Sequence, residues 1–278
     1  MTTTARWMLV PFVVLALLLA ACGNGDTQQP ADDGATPAEG DGAAGADLDL
    51  VTDGTLTVCT DSPYPPMEFE DPETGEFTGF DIELMRAIAE ELGLDTEVVN
   101  SGFDPIVSGT ALAANQCDIA AASITITEER EESIDFTEPY FEAEQSLLVK
   151  GDSDIASIDD LAGERIGVQS GTTGETYANE NTPDGAEIVS FDNPGDIFVA
   201  LEAGDISGVI QDLVVNQGRT LEDDSVEVVE TYQTDEQYGF AAEEGNTQLT
   251  EAVNGALQTL RDDGRYDEIY NEWFGNAE

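Results

Sequence analysis

Short apolar runs rich in β-branched residues alternate with stretches of helical spacing, and this alternation restricts the fold more than any other feature. Residues 55–60 form the first run, and apolar residues then recur on one helical face over residues 80–92. Residues 96–99 read as a second strand, residues 105–115 as a helix and residues 118–124 as a buried third strand. This order predicts a parallel sheet with helices on its faces.

The same pattern begins again in the second half of the chain. Ser157 and Asp160 have the spacing of a capping box, and strands are predicted at residues 165–169, 187–191 and 207–211. Helices separate these strands, and the last 30 residues have apolar helical faces. The 278 residues suffice for two small lobes with their own cores, so we predict an α/β protein of two similar lobes.

Polar residues stand where several predicted strands end. Asp61 follows the first strand, residues 123–125 end the third, and residues 171–173 and Asp212 end strands of the second half. Ligands of open α/β sheets bind beyond the carboxyl ends of the strands. These residues are therefore candidates for a binding site.

The N-terminus has the features of a targeting segment. Arg6 precedes an apolar run over residues 8–21, which is too short for a stable membrane span. The run ends in Leu-Ala-Ala before Cys22, a pattern that resembles the lipobox of bacterial lipoproteins. We predict a signal peptide at residues 1–21 and a lipidated Cys22, with an ordinary secretory signal and a chance cysteine as the alternative.

A flexible, acidic tether is predicted at residues 22–54. The segment is rich in Gly, Ala, Asp, Pro and Thr and has little apolar content. Such a composition cannot bury enough surface to offset the entropy of ordering. The tether would span roughly 30 Å and hold the folded body outside the cytoplasm, near the membrane.

The charge balance narrows the possible functions. The chain has 60 acidic and 8 basic residues, a formal net charge of −52, and no histidine. This argues against a nucleic-acid partner, which needs clustered Lys and Arg, and it removes histidine-based catalysis and the commonest metal ligand. We expect no cofactor and no metal. The acidity indicates growth at high salt, or an acidic protein with no special role for its charge.

Six motifs in order resemble family 3 of the extracellular solute-binding proteins, the polar amino acid-binding proteins of ABC transporters. The resemblance covers roughly residues 55–275. The motifs lie at residues 79–92, 123–130, 134–140, 170–173, 211–212 and 253–274. The nearest relatives in this resemblance are the glutamine-binding and the lysine/arginine/ornithine- or histidine-binding proteins.

The resemblance implies a type II periplasmic-binding-protein-like fold, whose two lobes close on the ligand. Lobe 1 would comprise residues 55–140 plus 239–278, and lobe 2 residues 145–233. Two hinge strands would cross near residues 140–144 and 234–238, with the ligand cleft between the lobes.

The resemblance also implies how a free amino acid is held. Arg130 would bind the carboxylate through two parallel hydrogen bonds, although a surface arginine paired with a neighbouring glutamate is the plainer alternative. Ser123 and Thr125 would add hydroxyl and backbone bonds. Thr172 and Thr173 stand at a predicted helix N-terminus, which favours a carboxylate.

The remaining site residues would bind the ammonium group and the side chain of the ligand. Asp212 would take the ammonium group, and Tyr64 and Phe103 would sandwich the side chain. Asp61 and Gln169 would choose among side chains, since a carboxylate at Asp61 accepts from an amide, a guanidinium, an ammonium or an imidazolium group. Glutamine, arginine, lysine and histidine therefore all stay open.

The predicted function is that of a monomeric transport receptor, not an enzyme. It would deliver a free amino acid to an ABC permease and its ATPase. One alternative is a cyclohexadienyl-dehydratase-like enzyme on the same fold, for which Glu68 or Glu83 could serve as an acid. A second alternative is a sensory binding protein.

The two cysteines of the body are predicted to be free and largely buried. Cys59 lies two residues before Asp61, and Cys117 six residues before Ser123. If both cysteines lie in extended, neighbouring parallel strands, their positions along the strands differ by roughly four residues, or ~13 Å. A disulfide needs Cα atoms within about 7 Å, although an extracellular pair would otherwise favour one.

Overall fold

The computed structural model describes residues 48–275. The predicted signal peptide, the lipidation site at Cys22 and most of the predicted tether lie outside the described residues. None of the helices between residues 48 and 275 has the length and apolar content needed to cross a bilayer.

Strands and helices alternate as predicted. The strands are β1 (Thr55–Thr60), β2 (Phe69–Glu70), β3 (Phe77–Thr78), β4 (Asp95–Asn100), β5 (Ile119–Ala120), β6 (Ile134–Phe136), β7 (Phe141–Lys150), β8 (Arg165–Gln169), β9 (Glu187–Phe191), β10 (Gly208–Asp212), β11 (Val226–Tyr238) and β12 (Ala241–Glu243). The helices are α1 (Phe80–Glu91), α2 (Phe103–Val107), α3 (Thr110–Ala113), α4 (Thr173–Asn181), α5 (Pro194–Ala203), α6 (Leu213–Glu222), α7 (Thr247–Asp263) and α8 (Arg265–Phe274), with short 3₁₀ turns at Arg130–Glu132 and Ile158–Leu161.

Two five-stranded sheets divide the described chain into two lobes. The first sheet has the order β4-β1-β5-β12-β6, and β1 pairs in parallel with β4 and β5. The second has the order β11-β7-β10-β8-β9. Below, lobe 1 denotes the first sheet with α1–α3, α7 and α8, and lobe 2 denotes the second sheet with α4–α6. The prediction of a two-lobed α/β fold is confirmed.

Helix α1 shows how local sequence fixes the position of an element. It starts after Gly79, whose φ is 118°, and a Cβ atom there would lie 2.2 Å from the carbonyl oxygen of Met67. Only glycine meets both conditions. The apolar face of α1 is buried, and the ring of Phe80 packs edge-on against Tyr266 and Tyr270 of the C-terminal helix.

The long strands β7 and β11 connect the lobes. They pair antiparallel from Val226 opposite Lys150 to Tyr238 opposite Phe141, with a register shift between Tyr232 and Glu236. Beyond Tyr238 the chain enters β12 of lobe 1. Such irregularities bend a strand, and this one lies just before the chain returns to lobe 1.

Two elements differ from prediction. The helix expected over residues 105–115 is divided into α2 and α3 because Gly109 takes a left-handed conformation, with φ 72°. The strand expected over residues 118–124 pairs only at Ile119–Ala120, and Ser123 has a φ of 49°. The segment after β5 is therefore irregular, and it places Ser123 and Thr125 beside the space between the lobes.

The prediction of free thiols is wrong. Cys59 and Cys117 form a disulfide, with their Cα atoms 5.6 Å apart. The prediction assumed that Cys117 continues the strand in extended form. Instead, Asn115 turns with a φ of 52°, and Cys117 lies in irregular chain between this turn and β5. Burial of both cysteines was predicted correctly.

Candidate functional site

The structure brings all ten predicted site residues around one cavity between the lobes. The cavity is narrow, with a volume of about 10 Å³, and Glu68 and Ala122 complete its lining. The ten residues are Asp61, Tyr64, Phe103, Ser123, Thr125, Arg130, Gln169, Thr172, Thr173 and Asp212. Their roles toward a ligand stay predictions, but the fold places all ten side chains around this one cavity.

Lobe 1 supplies its side chains from turns that follow strands. Asp61 comes directly after β1, and Tyr64 lies in a turn closed by a backbone bridge to Glu68. Phe103 is the first residue of α2, and Arg130 opens a 3₁₀ turn.

Lobe 2 supplies its side chains from the ends of β8 and β10 and from the start of α4. Gln169 ends β8, and Asp212 ends β10. Thr172 caps α4, because its hydroxyl accepts from the N–H of Glu175 at 3.2 Å and donates to the carbonyl of Gln169 at 2.8 Å. Helix α4 thus begins at the cavity, with its dipole favouring an anion there.

Polar contacts join the two lobes across the cavity. Gln169 Nε2 donates to Asp61 Oδ2 at 2.6 Å, and the hydroxyl of Tyr64 donates to Asp212 Oδ2 at 2.8 Å. Arg130 Nη2 donates to the carbonyl of Gly171 at 3.0 Å. The site is therefore assembled from both lobes, and its geometry depends on their approach.

Arg130 is the buried cation of the cavity. It is 8% exposed, lies 5.1 Å from the centre of the Phe103 ring and donates to the carbonyl of Thr125 at 2.7 Å. No carboxylate of residues 48–275 makes an ion pair with it. Burial lowers its pKa, opposed by the charges of Asp212 and Glu236. A buried guanidinium bonded only to neutral oxygens is suited to an anionic ligand.

Asp212 is the buried anion of the same cavity. Oδ2 accepts from the hydroxyls of Tyr64 at 2.8 Å and Tyr238 at 2.7 Å, and Oδ1 accepts from Gln145 Nε2 at 2.5 Å. Burial and the charge of Glu236 raise the pKa of Asp212 to about 6, although the three hydrogen bonds oppose the rise. A cationic group beside Asp212 would favour its charged form.

A second acidic region lies next to Asp61. Burial raises the pKa of Asp61 to about 6, and burial together with Asp81 raises that of Glu68 well above its usual value. Glu68 accepts from the hydroxyl of Ser123 at 3.0 Å, while Asp81 accepts from the backbone N–H of Ser123 at 2.8 Å. This concentration of carboxyl groups favours a cationic or hydrogen-donating side chain and disfavours an acidic one.

Three residues of the site were not predicted as ligand-site residues. Glu68 was predicted only as an acid of the enzyme alternative, yet it lines the cavity. Gln145 and Glu236 lie on β7 and β11, just behind the cavity wall. Glu236 falls within the hinge predicted near residues 234–238, and Gln145 directly follows the one predicted near residues 140–144. These positions are the sequence signal that could have identified them.

A wider cavity of about 800 Å³ lies against the first. It shares Arg130, Thr172 and Thr173 with the inner site, and Asp104 and Glu175 are among its other lining residues. Its position makes it the outer part of the interlobe cleft.

Comparisons with known proteins agree on one family. The model of the bacterial extracellular solute-binding proteins, family 3, matches residues 56–276. The ABC transporter glutamine-binding protein GlnH of Bacillus subtilis (strain 168) is 33% identical over 265 residues, covering 92% of each chain. The putative ABC transporter arginine-binding protein 2 of Escherichia coli (strain K12) is 31% identical over 236 residues, covering 83% of this chain and 95% of that one.

Solved structures give the same result. The structure of an ancestral arginine-binding protein bound to glutamine matches with a TM-score of 0.75 and 39% identity, covering 81% of this chain and all (100%) of that one.

Proposed function

Because the chain belongs to family 3 of the bacterial extracellular solute-binding proteins, we propose that it binds a free polar or basic amino acid for an ABC importer. The observation that carries the proposal is the pairing of opposite buried charges in one interlobe cavity. Arg130, which makes no ion pair with any carboxylate of residues 48–275, lies at one side, and Asp212 lies at another. A free amino acid presents the complementary pair, a carboxylate and an ammonium group.

The geometry supports the following roles. Arg130 binds the ligand carboxylate, assisted by the backbone N–H groups at Thr172 and Thr173, where α4 starts. Asp212 receives the ammonium group. Ser123 and Thr125 add hydroxyl and backbone bonds. Tyr64 and Phe103 form the walls beside the ligand side chain. Asp61 and Gln169 select among side chains.

Among glutamine, arginine, lysine and histidine, we propose that basic side chains are preferred. Asp61 and Glu68 both line the cavity, and their raised pKa values mean that each would gain from a cationic neighbour. An amide satisfies hydrogen bonds but supplies no compensating charge.

Binding is proposed to work by closure of a monomer. Lobe 1 comprises residues 55–140 plus 239–278, lobe 2 residues 145–233, and the hinges lie near residues 140–144 and 234–238. Closure buries the ligand, and the closed form is the one that the permease and its ATPase recognise. The relatives named above are transport binding proteins, and we propose that this chain is likewise not an enzyme.

The finer localisation is also a proposal. The signal peptide and Cys22 would anchor the protein by lipid to the outer face of the cytoplasmic membrane. Cells given labelled palmitate should incorporate label into the wild-type chain and none into Cys22→Ser. Label retained in the variant would contradict the anchor.

A thermal-shift screen tests the proposed function. The detergent-solubilised full chain is heated with each of the twenty amino acids, ornithine and citrulline at low and high salt. A ligand at 100 times its Kd should add ~2.7 kcal/mol of stability and raise the midpoint by a few degrees. We expect the largest rise with a basic amino acid. No rise with any of them, from protein that unfolds cooperatively, would contradict the proposal.

A further inference from the structure

Glu236 is a carboxylate near the cavity, and none of the roles proposed above includes it. It lies on β11, immediately after the register shift, opposite Ala143 of β7. Its position is therefore neither in the core of lobe 1 nor in that of lobe 2, but on the strand pair that connects them.

One oxygen of Glu236 holds side chains from both lobes. Oε2 accepts from the hydroxyl of Thr125 of lobe 1 at 3.0 Å and from the hydroxyl of Thr173 of lobe 2 at 2.7 Å. It also accepts from Gln145 Nε2 at 3.2 Å. Both threonines line the inner cavity, so Glu236 reaches the ligand site through them.

This arrangement fixes the direction of two hydroxyl groups. A hydroxyl has one proton to donate, and a carboxylate can only accept. If Glu236 takes both threonine protons, each hydroxyl oxygen is left as an acceptor. The two hydroxyls are 3.4 Å apart, and that of Thr173 also accepts from Gln145 Nε2 at 3.3 Å, which leaves one of its lone pairs for the site. Lone pairs suit the N–H donors of an ammonium group and not the oxygens of a carboxylate.

Glu236 also adds charge behind Asp212. The same Gln145 Nε2 donates to Asp212 Oδ1 at 2.5 Å and to Glu236 Oε2 at 3.2 Å, so one amide joins the two carboxylates. The side of the cavity that holds Asp212 is thereby more negative than Asp212 alone would make it.

We propose that Glu236 is a positioning residue that makes the α-ammonium group of the ligand obligatory. By holding the hydroxyls of Thr125 and Thr173 as acceptors and adding charge behind Asp212, it orients the amino acid with its ammonium group toward the strand pair and its carboxylate toward Arg130. The inference rests on the proposed function and extends it to a residue behind the cavity wall.

The test compares an amino acid with its 2-hydroxy acid, which carries a hydroxyl in place of the α-ammonium group. The probe is whichever of arginine, lysine, histidine or glutamine binds the wild-type full chain most tightly in calorimetry. Glu236→Gln should weaken binding of the amino acid about tenfold and binding of its 2-hydroxy acid less than twofold. The discrimination ratio, which is the Kd of the 2-hydroxy acid divided by that of the amino acid, therefore shrinks.

Two further variants separate positioning from damage to the fold. Thr173→Val removes one oriented hydroxyl and should shrink the same ratio by a smaller factor, which keeps the test decisive if Glu236→Gln does not fold. Glu227→Gln makes the same charge change at an exposed site on β11 and should leave both affinities unchanged.

Equal losses for the amino acid and its 2-hydroxy acid in Glu236→Gln would overturn the inference, as would no loss for either. A wild-type chain that binds none of the four amino acids would instead overturn the proposed function, and this inference with it.

Discussion

Two sets of contacts join the lobes, and they differ in chemistry. Inside the cavity the contacts are polar, as in the bonds from Gln169 to Asp61 and from Tyr64 to Asp212. At the edge of the cleft they are apolar, where proline rings of lobe 1 lie against glycines of lobe 2. A ligand can replace polar contacts with its own hydrogen bonds, whereas the apolar contacts are the same whatever the ligand.

The apolar contacts depend on the absence of side chains. A Cβ atom on Gly218 would lie 2.9 Å from Pro66 Cδ, and one on Gly195 would lie 3.1 Å from Pro63 Cγ. Val215, on the same helix as Gly218, belongs to the buried cluster that contains Tyr64. The comparison suggests a division: the polar set determines which ligand is bound, and the apolar set determines how readily the lobes approach.

Among the polar contacts, the largest expected effect comes from removing the side chain of Arg130. Arg130→Ala should weaken amino acid binding by about 3 kcal/mol, more than a hundredfold in Kd, because the ligand carboxylate is left buried without its cation. The unliganded chain should unfold at the same temperature or higher, since a buried charge without a carboxylate partner is removed.

The control for this variant is Arg165→Ala. Arg165 is half-exposed in its side chain, at 46%, and pairs with Glu187 away from the cleft. Its replacement should leave Kd unchanged. An Arg130→Ala chain that binds within threefold of wild type in calorimetry would remove the basis for the proposed carboxylate site.

A smaller effect is expected from the apolar set at Gly218. Gly218→Ala should weaken binding about tenfold for every amino acid alike, because the new methyl group meets Pro66 only when the lobes are together. The same change should raise the stability of the unliganded chain by roughly 0.5–1 kcal/mol, since alanine favours the helix.

Gly255→Ala is the matched control. It lies within α7, and a Cβ atom there has no neighbour within 4 Å. It should give the same gain in stability with no change in Kd. If Gly218→Ala alters the ranking of ligands, the division between the two sets of contacts does not hold.

Much of this organisation could be predicted from the sequence. Alternation of strand and helix placed β1 and β8 at their observed bounds, since both are buried runs between clear breakers. Polar residues at strand ends, with the motifs of one family, identified ten side chains that meet in one cavity.

What could not be predicted depends on irregular backbone. The disulfide was missed because Cys117 lies in irregular chain before β5, where counting residues along an extended strand overstates the distance. Glu236 was missed because its contacts with Thr125 and Thr173 cross more than 60 residues of sequence, with separations of 111 and 63, and depend on the bulge in β11. Periodicity indicates which face a residue occupies, but not which distant side chain it meets.

The smallest expected effect is a dependence on pH within the polar set. Asp61 and Asp212 both have pKa values raised to about 6, chiefly by burial. A basic ligand favours their charged forms, so protonation must oppose binding. The affinity for arginine, whose charge is constant here, should therefore fall several-fold between pH 7.5 and pH 5.

The stability of the unliganded chain should change in the opposite direction. A carboxyl group whose pKa is raised in the folded state binds protons more tightly there than in the unfolded chain, so this contribution to stability increases as pH falls from about 7 to about 4. Calorimetry and thermal unfolding over this range check both trends, and Asp61→Asn should reduce each of them. Affinity that stays flat from pH 7.5 to pH 5 would mean that neither carboxylate contacts the cationic ligand, and that the selectivity of the polar set lies elsewhere.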